Sequence, residues 1–249
     1  MSYLFAPSQR EVLDGFARSK VFLAFDFDGT LAPIVDHPRD AAMRPCTKNL
    51  LRRVTRLYPC AVISGRSRAD VRPRLSGTGV QVIVGNHGAD LGDTRGLTRR
   101  VARWGAVLEK ELAGLEGVWV ENKGLSLAVH YRNSPQKRET RRRLQDIASV
   151  LDGARFAPAK QSVSILDAAS PDKGQAVEIQ FRQSGCERAI FVGDDATDED
   201  VFARDWGGTV LGIAVGTRKS AATYHLRNQA EIDRLLDRLA ALREPAAGA

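Results

Sequence analysis

Short continuous apolar runs alternate along the chain with stretches whose apolar positions recur at helical spacing. Val21-Phe22-Leu23-Ala24-Phe25 is apolar throughout, as a strand buried on both faces requires. Thr47 to Tyr58 carries Leu50, Leu51, Val54 and Leu57 at helical spacing, and Cys60 to Ile63 returns to a strand-like run. Val80 to Val84 predicts a further strand. The last third repeats the pattern: a helix over Lys173 to Ser184, strands over Ala189 to Val192 and Val210 to Val215, and a final helix carrying Ile232, Leu235, Leu236, Leu239 and Leu242. The alternation predicts an α/β fold built on a mostly parallel sheet covered by helices.

Between about Arg99 and Leu166 the texture changes. Val118-Trp119-Val120, Leu125 to Tyr131 and Ser162 to Leu166 read as strands, with helices near Val101 to Leu112 and Gln136 to Leu151. Leu125, Leu127 and Val129 alternate with Ser126, Ala128 and His130, so one sheet face is expected to pack on helices and the other to look out and close over a ligand. The predicted organisation is a core over residues 1–98 and 168–249, interrupted by an α+β cap at 99–167. The chain shows no internal repeat, and the Pro/Ala/Gly tail after Glu244 is expected to fray.

A chain of 249 residues, 43% of them hydrophobic, can bury a sizeable core. No apolar run approaches the roughly 20 residues of a membrane helix, and Met1 to Arg18 lacks a signal-peptide pattern. A cytoplasmic monomer without a membrane partner is expected. Cys46, Cys60 and Cys186 have no metal-ligand spacing and argue against a disulfide framework. The net charge of +7 favours anionic partners. Its densest cluster, Lys137-Arg138 and Arg141-Arg142-Arg143, shares a segment with Leu144, Ile147, Ala148 and Leu151 at helical spacing, which makes it a solvated helix face. With 6% aromatic residues and no zinc-finger or base-stacking motif, a nucleic-acid partner is not expected.

Four polar motifs follow these apolar runs. Asp26-Phe27-Asp28-Gly29-Thr30 ends the first strand, and alternate side chains point the same way, so Asp26 and Asp28 can share one site. Close carboxylates repel unless one is protonated or a cation lies between them. Both conditions suit attack on a phosphate monoester, with Mg²⁺ bound, Asp26 as nucleophile and Asp28 as general acid and base. Ser64-Gly65-Arg66 follows the strand at Cys60 to Ile63, where the Ser64 hydroxyl and backbone N–H groups can hold phosphate and Arg66 can meet substrate. Asp172-Lys173-Gly174 starts a helix, placing the Lys173 ammonium to neutralise a phosphoryl group and Asp26. Gly193-Asp194-Asp195-Ala196-Thr197-Asp198-Glu199-Asp200 crowds acidic residues into one loop; Asp194 reads as a metal ligand, and Asp195 and Asp198 as groups that orient waters or hold Lys173. Taken singly, each motif also fits an ordinary turn or helix start.

Taken in order, DxDGT, SGR, DKG and GDDxTDED resemble the haloacid dehalogenase superfamily. The resemblance implies a Rossmann-like core, a phospho-aspartyl intermediate on Asp26, acid and base work by Asp28, and a Mg²⁺ ion that also meets the Asp28 backbone carbonyl. Val120-Glu121-Asn122-Lys123-Gly124-Leu125-Ser126-Leu127-Ala128-Val129-His130-Tyr131-Arg132, with Gly85-Asn86-His87-Gly88 and the TDED ending, narrows it to the trehalose-6-phosphate phosphatases. That resemblance implies a sugar-phosphate substrate gripped by Glu121, Lys123 and Arg132. His87 is expected to align the core loop rather than to catalyse. One departure stands out: where the family often carries a second cap glutamate, this chain reads Ser164-Ile165-Leu166-Asp167. It leaves open another sugar phosphate, such as a glucosyl- or mannosyl-glycerate phosphate.

Overall fold

The computed structural model describes residues 1–158 and 162–244. Its strands are β1 (Ser2–Tyr3), β2 (Val21–Phe25), β3 (Cys60–Ile63), β4 (Val82–Val84), β5 (Trp119–Asn122), β6 (Leu127–His130), β7 (Ala154–Pro158), β8 (Ser162–Asp167), β9 (Arg188–Gly193), β10 (Val210–Val215) and β11 (Tyr224–Leu226). Its helices are α1 (Arg10–Arg18), α2 (Pro45–Val54), α3 (Arg68–Arg74), α4 (Leu97–Glu111), α5 (Lys137–Ala148), α6 (Lys173–Ser184), α7 (Glu199–Phe202) and α8 (Ile232–Ala241).

Seven strands form one parallel sheet in the order β1-β11-β10-β9-β2-β3-β4. All five residues of β2 are buried, because helices cover both faces. Val21, Leu23 and Phe25 pack with Leu51, Val54, Leu235 and Leu239 of α2 and α8. Phe22 and Ala24 point the other way, into a cluster with Ala176, Val177, Val201 and Phe202 of α6 and α7. From β2 the chain winds outward through β3 and β4, whereas from β9 it winds the opposite way through β10 and β11. The strand order therefore reverses between β2 and β9. A crevice opens outside the carboxyl ends of strands at such a point, and β2 and β9 end directly before Asp26 and Asp194.

The second sheet is antiparallel, in the order β5-β6-β8-β7. Leu127, Val129, Val163 and Ile165 pack on Val101, Trp104 and Leu108 of α4 and on Leu144 and Ile147 of α5. The opposite face carries Ser126, Ala128 and Ser164, which are also buried because they lie against the parallel domain. The alternation read from the sequence thus distinguishes two packed faces. On α5, Arg141 and Arg142 stay exposed while Thr140, Leu144 and Ile147 are buried.

Several elements lie beyond the sequence pattern. Strand β7 ends in proline and pairs only with β8, at the sheet edge where a missing N–H is tolerated. The short helix α3 contains Pro73, and β1 and β11 are too brief for a periodicity to develop. The three cysteines are free, in line with the absence of a disulfide framework; Cys60 is buried and Cys46 is exposed. No helix among the described residues is long and apolar enough to cross a membrane. The tail expected to fray lies outside the described residues.

Helix α6, which carries Lys173, is seated by contact between backbones. A Cβ added at Gly174 would lie 2.1 Å from the Asp200 carbonyl oxygen in α7, so only glycine permits this approach. Gly174→Ala is expected to destabilise the protein by about 1–3 kcal/mol through overpacking. Urea denaturation checks this, an unchanged midpoint being inconsistent with the close approach.

Candidate active site

Asp26 stands at the first position after β2, its N–H bonded to Val192 O at 2.9 Å on β9. The chain then turns sharply: Gly29 N–H donates to Ala32 O at 2.7 Å, and Gly29 adopts φ +80°. A Cβ there would come within 2.2 Å of the Asp194 carboxylate. Glycine is thus required twice, for the left-handed turn and for the approach of Asp194.

Lys173 opens α6 immediately after Asp172, whose side chain accepts from Gln175 N while the Gln175 side chain accepts from Asp172 N. This capping box fixes the helix start and delivers a fully buried lysine. Its Nζ donates to Asp26 Oδ1 at 2.9 Å and to Asp198 Oδ1 at 2.7 Å. Desolvation pulls the ammonium pKa down, but the charges of Asp198 and Asp26 outweigh it and leave Lys173 above the ordinary lysine range. Asp26 is pushed well above the usual carboxylate range by burial, opposed by Lys173 and reinforced by Asp198 and Asp194.

Ligand atoms of Asp26, Asp194 and Asp198 lie within 4.8 Å of one another. Three buried carboxylates face one ammonium, an excess of negative charge that a hard divalent cation would offset. The donor set is entirely oxygen, and Thr197 Oγ1, buried without a hydrogen-bond partner, lines the same cavity. These residues fit a divalent cation. Asp198 also accepts from Asp195 N–H at 2.8 Å, so it is tied to Lys173 and to its own loop. Arg218 clamps that loop, Nε donating to Asp194 O at 2.9 Å and Nη2 to Asp195 O at 2.5 Å.

The side chain of Asp28 turns away from this cluster. Arg66 grips it bidentately, Nε to Oδ2 at 2.7 Å and Nη2 to Oδ1 at 2.8 Å, and also donates to Asp70 Oδ2 at 2.5 Å and to Pro38 O at 2.7 Å. Arg66 borders the cavity with its guanidinium committed to protein acceptors. Ser64 is fully buried, its Oγ accepting from Arg66 N at 3.1 Å, and among these two it is Gly65 that reaches the cavity.

The antiparallel sheet closes over the crevice and encloses about 360 Å³. Lys123 Nζ donates to Gly65 O at 3.1 Å and lies 3.9 Å from Glu121 Oε2. Burial lowers the Lys123 pKa. Glu121 accepts from His130 Nε2 at 2.8 Å, a bond that lowers its own pKa. Arg132 reaches Asp36 at 3.3 Å near the surface. Ser126 Oγ donates to Asn86 Oδ1 at 2.7 Å, and His87 Nε2 lies 3.2 Å from Ser164 Oγ. Burial, then the charges of Lys173 and Lys123, hold His87 far below the usual imidazole range, so it is neutral. Asn86 and His87 both adopt positive φ, a strained pair held by these contacts. Asp167 is turned to Arg100 at 2.5 Å, whereas Ser164 lines the cavity.

A family profile for trehalose-phosphatase matches residues 24–230, spanning both lobes of this site. The chain belongs to the trehalose-phosphatase family. It is 31% identical over 91% of its length to the trehalose-phosphate phosphatase of Mycolicibacterium paratuberculosis, and spans 64% of that protein. It is 28% identical over 92% of its length to the probable trehalose-phosphate phosphatase D of Arabidopsis thaliana, spanning 69% of it. The fold matches the C-terminal domain of C. albicans trehalose-6-phosphate phosphatase with a TM-score of 0.77 at 20% identity, over 93% of this chain and 96% of that one. It also matches the sucrose-phosphatase of Synechocystis, with a TM-score of 0.60 at 13% identity over 90% and 98% of the two chains.

For this family member, the sequence reading missed residues that lack a local signal. Arg218 reaches the Asp194–Asp195 loop from the loop after β10, Asp70 pairs with Arg66 only once α3 forms, and Trp119 and His130 meet only because β5 and β6 pair. Replacing Lys173 with Met would leave Asp26 and Asp198 buried without their shared cation. In metal-free protein this is expected to cost about 3–5 kcal/mol. Urea denaturation in EDTA measures it, and a loss below about 1 kcal/mol would contradict a structural role for the triad.

Proposed function

We propose that the chain hydrolyses trehalose 6-phosphate to trehalose and inorganic phosphate through a phospho-aspartyl intermediate on Asp26. One observation carries this reading: in a trehalose-phosphatase family member, Asp26, Lys173 and Asp194 and the cap residues Glu121, Lys123 and Arg132 line a single cavity, with Asp198 bonded to Lys173 behind its wall. The segment at 99–167 acts as the cap and the remainder as the core.

Asp26 and Asp194, with the Asp28 backbone carbonyl, would hold Mg²⁺, whose charge would relieve the crowding of carboxylates and polarise the phosphoryl oxygens. A carboxylate oxygen of Asp26 attacks phosphorus, and the bond from phosphorus to the sugar oxygen breaks. Asp28, protonated, gives its proton to that departing oxygen; as a carboxylate it then takes a proton from the water that attacks the aspartyl phosphate, releasing phosphate and regenerating Asp26. Lys173 holds Asp26 in place and offsets phosphoryl charge. Arg66 holds the Asp28 carboxylate through two hydrogen bonds before substrate arrives. A phosphate group competing for Arg66 would release the Asp28 side chain and gain a bidentate partner in the same movement. Neutral His87 and the Ser64–Gly65 loop align the core against the sugar, and Asp195 and Asp198 support the metal and lysine.

A second reading, a phosphatase of another sugar phosphate such as a glucosyl- or mannosyl-glycerate phosphate, draws on the serine at position 164 and the diversion of Asp167 to Arg100. Purified protein assayed for phosphate release is expected to show a higher kcat/KM for trehalose 6-phosphate than for glucose 6-phosphate or either glycerate conjugate. EDTA should stop turnover and Mg²⁺ restore it. Asp26→Asn should lower kcat by at least roughly 10³-fold while leaving the urea midpoint within about 1 kcal/mol of wild type. Retained turnover in that variant would remove Asp26 as nucleophile, and preference for another substrate would remove trehalose 6-phosphate.

A further inference from the structure

Four large apolar side chains stand exposed among the described residues: Met1, Ile34, Trp119 and Val150. Two of the four, Ile34 from the loop after β2 and Trp119 from β5, line the cavity. Trp119 is 49% exposed and Ile34 47%, whereas Asp26 and Lys173 on the same wall are 4% and 1%. Asp26 and Lys173 thus lie at the buried end of the cavity, and Ile34 and Trp119 toward solvent. Leaving an indole half in water forgoes the stabilisation its burial would provide, which makes its placement here informative.

The ring is also braced. Trp119 is paired directly with His130 across β5 and β6, and the rings stack with centroids 4.0 Å apart and planes within 13°. His130 in turn donates to Glu121. The stack occupies one face of the indole, and the exposed remainder of the ring borders the cavity. A pre-positioned aromatic side chain loses little conformational freedom on binding. A pyranose ring is a fitting occupant, since its C–H face is apolar and its hydroxyl rim is polar. It can lie on an indole while its hydroxyls reach an acceptor such as Glu121.

We propose that Trp119, braced by His130 and assisted by Ile34, is a sugar platform that receives the hexose ring remote from the phosphate. It makes the site prefer a disaccharide phosphate over a monosaccharide phosphate. The proposal rests on the phosphatase reading above and assigns the outer subsite of that cavity. Contact with a non-reacting ring persists from bound substrate to transition state, so its loss raises KM more than it lowers kcat.

The test compares wild type, Trp119→Ala and Trp119→Phe on trehalose 6-phosphate and glucose 6-phosphate, with urea denaturation to establish folding. In Trp119→Ala the ratio of kcat/KM for the disaccharide to that for the monosaccharide is expected to fall roughly 10- to 100-fold, mainly through KM. Trp119→Phe should recover most of it. Equal losses on both substrates, or an unchanged ratio, overturn the platform. Tryptophan emission provides a second measurement, with Trp104 and Trp206 as the remaining fluorophores in Trp119→Phe. Titration with trehalose, sucrose and maltose should shift the wild-type emission for at least one disaccharide, and that response should vanish in Trp119→Phe. No response in wild type, or the same response in the variant, overturns the platform. A wild-type enzyme that prefers another disaccharide phosphate would remove trehalose 6-phosphate as substrate while the Trp119-dependent emission still supported the subsite.

Discussion

A single buried ammonium holds the site together. Lys173 reaches Asp26 from α6 and binds Asp198 from the loop after β9, joining three segments far apart in sequence. Burying any one of these charges alone would cost several kcal/mol, so each needs the others in place. The capping box that starts α6 and the glycine contact that seats it on α7 serve the same end, because a small displacement of the helix would separate Lys173 from both carboxylates. With Asp194 beside them, carboxylates outnumber the ammonium, and the site is poised to accept further positive charge.

Topology supplies the place for that cluster. Strand order reverses between β2 and β9, and each of these neighbouring parallel strands ends at a buried carboxylate. The antiparallel sheet then completes the cavity without contributing to the cluster itself. Its contacts to the core are hydrogen bonds and single ion pairs: Ser126 to Asn86, Ser164 beside His87, Lys123 to the Gly65 carbonyl, Arg132 to Asp36 and Arg155 to Asp200. Such contacts are individually modest.

Much of the fold was legible because burial leaves a periodic trace. The apolar run of β2 and the helical spacing of α8 follow directly from helices covering a parallel sheet on both faces. Short or edge elements left no such trace: β7 carries a terminal proline, and β1 has two residues. In the site, Asp26, Lys173 and Asp194 were readable because each lies at the junction of an apolar run and a turn. The grip of Arg66 on Asp28, the clamp of Arg218 and the stack of Trp119 on His130 were not, since each joins side chains whose proximity depends on how separate elements pack.

From its sequence alone, this protein has determined chemical groups, strand-end positions and family membership, since these depend on residue identity and local order. Only the tertiary structure decided which carboxylate binds the lysine and which the arginine, and that the second face of the antiparallel sheet is part buried against the core and part open to the cavity. It also placed an exposed indole at the mouth of a charged cavity. Charge pairing and shape depend on distances of a few ångströms between segments 25 to 147 residues apart, and no local pattern encodes those distances.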